Sequence, residues 1–317
     1  MASSPSDIML SPKTTGLTLA IIGCGTMGTS ILQGILNAKA QGIPSISPDA
    51  PSITKFVACV NSMASVQRLR DEFQDSEVRV NVIVANSVQA MQQADIVLLA
   101  CKPYMVDAIL GQPGARDAVA GKLMISVLVG TPVDKMVNIL THGSDVWRKK
   151  EDISNLQIVR AMPNLAASFR ESNTVVEMGG QLRISSANKS IVRYIFGCVG
   201  HIVEVGPAQY DAASVLAAAS LAFLTVAIDG ILDGGVKEGI KRSEGRDILV
   251  TSLKGLVGLL EGKGGNGNGM KTGDEIREQF SSPRGTTIEG LVGLEEDRVR
   301  YAYCRSVMRA TKRSLEM

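Results

Sequence analysis

The sequence predicts an α/β protein in which strands alternate with helices up to Gly206 and only helices follow. Short apolar runs bounded by glycine or proline are typical of buried strands, and helical patterns separate them. With 317 residues, 45% of them hydrophobic, the chain is long enough for two domains. We therefore expect a disordered tail over residues 1–16, a sheet-containing domain over 17–206 and an all-helical domain over 207–317.

The first residues of the chain and its most apolar run give no indication of a targeting or membrane segment. Met1 to Thr15 has no apolar secretory core and no presequence arginines. The most apolar run, Val215 to Leu232, is interrupted by polar residues and glycine, so we expect it to fall short of the roughly 18 apolar residues of a membrane span. These observations predict a soluble, cytoplasmic protein with no membrane partner.

Charge and ligand-type residues exclude several functions. The formal net charge of +2 gives no indication of nucleic-acid binding. Five cysteines without C-x-x-C spacing favour free thiols in a reducing compartment, mostly as buried apolar residues. The two histidines, His142 and His201, each lie beside glycine, and we interpret both as structural. Because the sequence shows no metal-ligand cluster and no nucleophilic triad, we expect no metal.

A glycine-rich turn, Gly23–Gly28, joins the first predicted strand, Leu17–Ile22, to the first predicted helix. In such a G-x-G-x-x-G turn the first glycine permits the tight bend, the second lets a pyrophosphate approach, and the third lets helix and strand pack closely. The helix N-terminus then faces the phosphates. The turn predicts a Rossmann-type dinucleotide-binding domain over residues 17–206, with a purely structural βα turn as the alternative.

The residues after the second predicted strand, Thr54–Val60, bear on the choice of dinucleotide. NAD enzymes usually have Asp or Glu here to bind the ribose 2′-hydroxyl, whereas this chain has Asn61 and Ser62, with Arg68 and Arg70 further on. Hydroxyl and basic groups without a carboxylate favour the 2′-phosphate of NADPH. NADH is the alternative, because both arginines could be solvated helix residues.

Further strands are predicted at Val78–Val84, Asp95–Ala100, Lys122–Val129, Gln157–Asn164, Thr174–Met178 and His201–Val205. Ligands of open parallel sheets bind at the carboxyl ends of strands, where Lys102 and Pro103 lie.

The helical part is predicted to contain Gln209–Lys237 as one long or two broken helices, Asp247–Leu260, and Ile288–Ser314 as two helices with a break near Arg300. The glycine-rich stretch Gly262–Gly269 has the composition of a flexible linker. The first of these helices is apolar on nearly all sides, which in a soluble protein requires several packing partners. We therefore expect this domain to dimerise.

A distinctive loop, Phe280–Thr287, reads F-S-S-P-R-G-T-T and precedes a helical run. Pro283 and Gly285 interrupt the chain there, and the first turn of the following helix leaves backbone N–H groups unpaired. Such a turn can hold a small anion, most simply a carboxylate. Taken alone, the pattern favours an ordinary helix start, so the other motifs decide between the two interpretations.

Several separated motifs coincide with one family. They are G-C-G-T-M-G at Gly23–Gly28, A-C-K-P at Ala100–Pro103, A-M-P-N at Ala161–Asn164, D-G-G-V-K at Asp233–Lys237 and S-S-P-R-G-T-T-I-E-G-L at Ser281–Leu291. From about Leu17 to Ser314 the chain resembles pyrroline-5-carboxylate reductase, which reduces Δ1-pyrroline-5-carboxylate to proline with NAD(P)H. The last motif is the most specific, because it is the family's signature in its expected place.

The resemblance implies a role for each matching residue. Cofactor contacts are implied for Gly23, Gly25, Thr26, Met27, Gly28, Asn61, Ser62, Asn86, Ala100, Cys101, Lys102 and Pro103. The backbone amides of Gly285 and Thr286 would bind the substrate carboxylate together with Ser282, and Thr287 would be the catalytic residue that hydrogen-bonds the ring nitrogen. The helical domain would supply this site across a homodimer, often within a ring of dimers.

The sequence departs from the family pattern near the expected substrate. Ala218–Phe223 stands where G-S-G-P-A-Y/F is usual, Gly206-Pro207 where an acidic residue is usual, and Arg284 where glycine is usual. Helix-forming residues in the first segment predict a straighter helix there. If Arg284 needs a positive φ, it costs on the order of 1 kcal/mol. A substituted pyrroline or piperideine carboxylate is therefore the alternative substrate.

Two other classes share part of the pattern. A β-hydroxyacid dehydrogenase has the same glycine-rich opening but needs a catalytic lysine in a G-x-x-x-K-x-x-x-N helix, and the segment Gly234–Lys237 does not continue to that asparagine. A non-catalytic NADP-binding module is the other alternative. NADPH oxidation with different imines and NADP reduction with a 3-hydroxy acid separate these functions.

Overall fold

The computed structural model describes residues 16–42, 52–74, 76, 78–141, 156–180, 182–263 and 269–317. His142, nearly all of the predicted tail and most of the predicted linker at Gly262–Gly269 lie outside these ranges. The described chain divides into two compact units, the first within Met1–Ala218 and Thr311–Met317, the second within Ala219–Ala310. The predicted domain boundary after Gly206 stays a prediction.

The first unit contains one sheet. Its strands are β1 (Leu17–Ile22), β2 (Ile53–Val60), β3 (Val80–Val84), β4 (Ile96–Leu99), β5 (Leu123–Ser126), β6 (Gln157–Met162), β7 (Ser172–Glu177) and β8 (Gly200–Val205). The eight strands are ordered β3-β2-β1-β4-β5-β6-β7-β8. All neighbours are parallel except β6 and β7. This confirms the predicted α/β fold class.

The described helices are α1 (Thr26–Ala40), α2 (Met63–Glu72), α3 (Ser87–Gln92), α4 (Val106–Leu110), α5 (Ala115–Val119), α6 (Val133–Leu140), α7 (Ser186–Val199), α8 (Pro207–Ser214), α9 (Ser220–Lys237), α10 (Arg242–Leu260), α11 (Gly273–Phe280), α12 (Thr286–Glu296) and α13 (Val299–Leu315). Short 3₁₀ helices occupy Pro103–Met105 and Leu165–Phe169, and a π-helical turn occupies Val215–Ala219.

The sheet is buried on both faces. Along β1, Leu19 and Ile21 belong to one apolar core, whereas Ala20 and Ile22 belong to the core on the opposite face. Successive side chains of a strand point to opposite faces, so a strand covered on both sides has to be apolar throughout. This explains why the central strands read as uninterrupted apolar runs.

The prediction of a straighter helix at Ala218–Phe223 is wrong. A π-helical turn, Val215–Ala219, separates α8 from α9, so the helix is irregular although the segment is rich in alanine. Helix propensity favours helical backbone angles, but a tertiary contact can widen one turn locally. Here the carbonyl oxygen of Ala217 accepts a hydrogen bond from the side chain of Asn164 at 2.9 Å.

In the second unit α9 and α10 pack against each other and are linked by Arg242, which donates to Asp229 at 3.1 Å and also to Asp233. Helix α11 was not among the helices predicted from the sequence. A signal was available, because the backbone N–H of Thr272 donates to Glu275 at 2.7 Å, the T-x-x-E arrangement of a capping box.

Contrary to the sequence expectation, the helical run Pro207–Lys237 is by length and composition apolar enough to cross a membrane. One continuous helix includes the polar interruptions, and within a single chain 17% of its most apolar window is buried. Large apolar side chains on α9, among them Leu224 and Val226, are exposed. An apolar surface of this extent needs a partner surface.

A buried arginine fastens helices of the first unit to the sheet. Arg160 on β6 donates to Glu177 on β7 at 2.9 Å and to Asp211 on α8 at 3.3 Å, and it lies 4.1 Å from the ring centroid of Tyr210. The hydroxyl of Ser314 on α13 donates to the same Asp211 carboxylate at 2.7 Å. One cation therefore satisfies two buried carboxylates and connects four elements of the unit.

We predict that Arg160→Met lowers the free energy of unfolding by about 3–5 kcal/mol, because it leaves two carboxylates buried without a cation. Arg193→Met is the matched control, since Arg193 forms a pair with Glu204 in which the arginine side chain is 49% exposed rather than 8%. That control should change stability by about 1 kcal/mol or less. Urea unfolding followed by circular dichroism measures both, and equal losses would contradict the assignment.

Candidate active site

The residues predicted to bind the cofactor lie along one edge of the sheet. The glycine-rich turn follows β1, Asn61 and Ser62 follow β2, Asn86 follows β3, and Ala100–Pro103 follows β4. These four strands are neighbours and run parallel, so their carboxyl ends meet at the same edge. The sheet order reverses between β1 and β4, which is where dinucleotides bind in folds of this type.

Steric contacts explain two of the glycines in the turn. A Cβ atom at Gly23 would lie 2.5 Å from the backbone of Cys101, and Gly23 has a φ of +90°. A Cβ atom at Gly28 would lie 2.9 Å from the carbonyl oxygen of Gly23 and 3.0 Å from the side chain of Ile21. The turn after β1 and the turn after β4 therefore pass each other at backbone contact distance.

Gly25 has a different role. A Cβ atom there would meet no protein atom within 4 Å, and the residue is exposed. Gly25 precedes α1, whose first turn carries no acidic residue and no side-chain cap. The N–H of Gly25 itself donates to the carbonyl oxygen of Gly23, so the donors available to an anion are the backbone N–H groups of the first turn of α1. The space above Gly25 admits a pyrophosphate. The turn thus fits a bound dinucleotide.

The polar residues after β2 and β3 also cap helices. The hydroxyl of Ser62 accepts from the backbone N–H of Ser65 at 3.2 Å, and the side-chain oxygen of Asn86 accepts from Gln89 at 3.0 Å. Asn61, Ser62 and Asn86 are all exposed at the sheet edge. No carboxylate follows β2, so nothing at this point of the described chain repels a 2′-phosphate.

Arg68 forms hydrogen bonds to the glycine-rich turn and to the start of α1. Its guanidinium donates to the carbonyl oxygen of Cys24 at 2.7 Å and to the hydroxyl of Thr29 at 3.2 Å, and it pairs with Glu72 at 3.0 Å. Sequence reasoning did not find this contact. Arg70 is exposed in the last turn of α2.

The cysteines near the edge are not reactive thiolates. Burial raises the pKa of the Cys24 thiol to about 11, and burial likewise raises the pKa of Cys101 to about 11. Both thiols are therefore protonated at neutral pH and behave as small apolar groups. The described residues contain no group of three or more metal-ligating side chains.

The second unit contains the loop between α11 and α12. The backbone N–H of Gly285 donates to the carbonyl oxygen of Ser282 at 3.0 Å and closes a turn in which Arg284 has a φ of +61°. A Cβ atom at Gly285 would lie 2.4 Å from the Ser282 hydroxyl, which explains the glycine. The predicted energetic cost at Arg284 depended on a positive φ at this position. The structure has that positive φ.

The N-terminus of α12 is open. Gly285 provides no side-chain cap, and Thr286 and Thr287 are exposed. The prediction that the amide of Gly285 binds the carboxylate is wrong for this loop, because that amide is already bonded to Ser282 within the turn. The amides of Thr286 and Thr287 are the available donors. The Ser281 hydroxyl oxygen is shielded from solvent and has no hydrogen-bond partner in the described part of the chain. Chemically, this end of the helix can bind a carboxylate.

We predict that Gly25→Ala folds normally but binds NADPH about tenfold more weakly, because its φ of −83° suits alanine whereas the new methyl group occupies the space for the pyrophosphate. Gly23→Ala, the comparison variant, should lose stability as well as binding. Thermal unfolding and a fluorescence titration with NADPH measure the two effects. Equal NADPH affinity in Gly25→Ala and wild type would contradict the placement of the pyrophosphate.

Comparison with known proteins agrees with this geometry. Residues 207–317 match the family model described as pyrroline-5-carboxylate reductase dimerisation, and residues 18–130 match that described as NADP oxidoreductase coenzyme F420-dependent. The dimerisation match includes the apolar helix Pro207–Lys237, so the chain forms oligomers through this region.

Full-length relatives extend the match. Pyrroline-5-carboxylate reductase of Lophium arboricola is 36% identical over 93% of this chain and 91% of that protein, and the Neurospora crassa enzyme of the same name is 35% identical over 93% and 91%. The crystal structure of Plasmodium falciparum pyrroline carboxylate reductase with NADP bound shares the fold, with a TM-score of 0.74 and 22% identity over 95% of this chain and 97% of that one. The chain belongs to the pyrroline-5-carboxylate reductase family.

Proposed function

We propose that this protein reduces Δ1-pyrroline-5-carboxylate to L-proline with NADPH. The observation that carries the proposal is the open N-terminus of α12, which directly follows the S-S-P-R-G loop. It occurs in a chain that is 36% identical to a pyrroline-5-carboxylate reductase. Residues 17–206 bind the cofactor in this proposal. Residues 207–317 bind the substrate and form the dimer.

NADPH supplies the hydride that reduces the imine carbon. The chain contributes amide donors at the start of α1 for the pyrophosphate and the neutral pair Asn61 and Ser62 for the 2′-phosphate. The turn Ala100–Pro103 and the amide group of Asn86 complete the binding edge. NADH is the alternative cofactor, and it would lose the contact at the 2′-phosphate.

The substrate end requires little acid–base chemistry. A protonated cyclic imine is already electrophilic, so the protein mainly has to align the ring and stabilise its nitrogen. The amides of Thr286 and Thr287, with Ser282 and the turn at Gly285, hold the carboxylate. The Thr287 hydroxyl hydrogen-bonds the ring nitrogen and is the catalytic residue in this proposal.

The proposal includes a homodimer or a ring of dimers in the cytoplasm. The exposed apolar side chains of α9 and α10, such as Leu221, Ile231 and Ile248, are of the kind that subunit interfaces cover. The free cysteines Cys24, Cys59 and Cys198 are buried as thiols, which suits a reducing compartment. We propose no nucleic-acid or membrane partner.

A second candidate substrate is a substituted pyrroline or piperideine carboxylate. The positive φ of Arg284 favours it, because keeping a strained arginine at a glycine position costs on the order of 1 kcal/mol without a compensating contact. A charge-assisted contact with a second polar group on the ring would provide that compensation.

We expect the purified protein to oxidise NADPH in the presence of Δ1-pyrroline-5-carboxylate and to form proline. Parallel assays use piperideine-6-carboxylate, to test the second candidate, and a 3-hydroxy acid with NADP, to test the dehydrogenase alternative. A higher kcat/KM with the six-membered imine favours the second candidate. NADPH binding without turnover of any imine would contradict reductase activity.

We predict that Thr287→Val lowers kcat about 10- to 100-fold, because it removes one hydrogen bond to a charged nitrogen while keeping the shape of the side chain. Thr54→Val, an exposed threonine at the far end of β2, is the control and should retain full activity. Steady-state kinetics and NADPH titration check both variants. An unchanged kcat in Thr287→Val would remove this residue from the mechanism.

A further inference from the structure

Asn164 follows β6 and is buried, with 6% of its surface exposed. Both ends of its side chain are used. The oxygen Oδ1 accepts from the backbone N–H of Ala166 at 3.0 Å, and the nitrogen Nδ2 donates to the carbonyl oxygen of Ala217 at 2.9 Å. A primary amide can make this pair of bonds, whereas an ionised carboxylate of the same shape can only accept.

The acceptor lies in the π-helical turn Val215–Ala219. A π turn places one extra residue in the helix and disturbs the regular hydrogen-bond ladder, so that a carbonyl group becomes available to an outside donor. Because Ala217 is buried, its oxygen would be costly to leave unpaired. The Asn164 amide therefore holds the irregular turn in place.

The backbone of Asn164 is fixed as well. Its N–H donates to the hydroxyl of Ser172 at 3.0 Å, and Ser172 is fully buried beside Thr174. The 3₁₀ helix that follows packs closely against α1. At this contact a Cβ atom on Gly34 would lie only 2.2 Å from the carbonyl oxygen of Ala167. Asn164 thus connects the helix behind the glycine-rich turn to the π turn.

The position of this contact suggests its purpose. Because β6 runs parallel to β5 and β5 to β4, Asn164 lies at the same edge of the sheet as the turn Ala100–Pro103. It belongs to the half of the sheet beyond the β1–β4 reversal, opposite to β2 and β3. A dinucleotide lying across that reversal directs its second half toward these strands. π turns are frequent at functional sites.

We propose that Asn164 is a positioning residue for imine reduction, acting through the Ala217 carbonyl to set the π turn beside the reacting end of the cofactor. This inference rests on the proposed function. Asn164 does not need to touch either reactant. The competing explanation is a buried amide that stabilises the fold and nothing else.

The test is Asn164→Asp, which keeps the size and the acceptor but donates to Ala217 only when the new carboxyl group is protonated. Burial raises the pKa of such a carboxyl group, so donation returns as the pH falls. The measured quantity is kcat/KM for the imine, calculated per folded protein from the folded fraction that circular dichroism gives. This value is divided by the wild-type value at each pH from 9 to 6. We expect this ratio of variant to wild type to be about 0.1 at pH 9 and to rise as the pH falls.

The control is Asn81→Asp, because the Asn81 side chain is exposed and donates to Gln93 at 3.2 Å. Its ratio should stay near one at every pH. For Asn164→Asp, a rising ratio with unchanged NADPH affinity supports the proposal. A ratio that stays near one at every pH, or a loss of imine turnover matched by an equal loss of NADPH affinity, would overturn it. A ratio that is low at every pH means that the carboxyl group stays ionised over this range, and the alanine variant at the same position then decides.

If Asn164→Asp does not fold at alkaline pH, Asn164→Ala replaces it, since alanine brings no charge. A tenfold loss of imine kcat/KM at constant NADPH affinity supports the positioning role, and parallel losses overturn it. Failure of the proposed function is recognised separately, because then the wild-type protein reduces no cyclic imine. In that case hydrogen exchange still tests the contact, and residues 211–221 exchange faster in the variant only if Asn164 holds the π turn.

Discussion

The close passage of two backbone turns is the constraint on which the cofactor-binding edge depends. Gly23 and Cys101 come so near that a single Cβ atom at Gly23 would overlap the neighbouring backbone at 2.5 Å. Because β1 and β4 are adjacent and the chain leaves them toward opposite faces of the sheet, a ligand crevice is expected at this reversal. Gly25 then opens the helix N-terminus to a ligand, and Arg68 holds the turn from its other side.

Two buried polar side chains continue this organisation along β6. Arg160 pairs with carboxylates of β7 and α8, and Asn164 bonds the π turn that follows α8. A small apolar cluster of Met162, Val175, Tyr210 and Ala217 accompanies these two side chains. Directional bonds surrounded by apolar contacts leave few alternative arrangements, so the helix that leaves the sheet domain has a defined start.

The helical part follows a different principle. Its longest helix exposes large apolar side chains within a single chain, although composition alone would allow it to cross a membrane. The match of residues 207–317 to a dimerisation family supports oligomer formation, which is a way to cover an apolar surface of this kind. The open N-terminus of α12 lies in the second unit, whereas the glycine-rich turn lies in the first.

The sequence by itself determined the alternation of strands and helices, the glycine-rich turn and the S-S-P-R-G-T-T loop, because these depend on local periodicity and on residues with special backbone freedom. It also indicated the family through motifs that need no contact information. Only the tertiary structure decided the π turn, the ion pairs of Arg160 and the bracing role of Arg68. Those features depend on partners 17 to 53 positions away along the chain, which no local pattern encodes. Alanine favours a regular α-helix at positions 217–219. The structure instead has a π turn there, and its Ala217 carbonyl accepts a hydrogen bond from Asn164, which follows a distant strand.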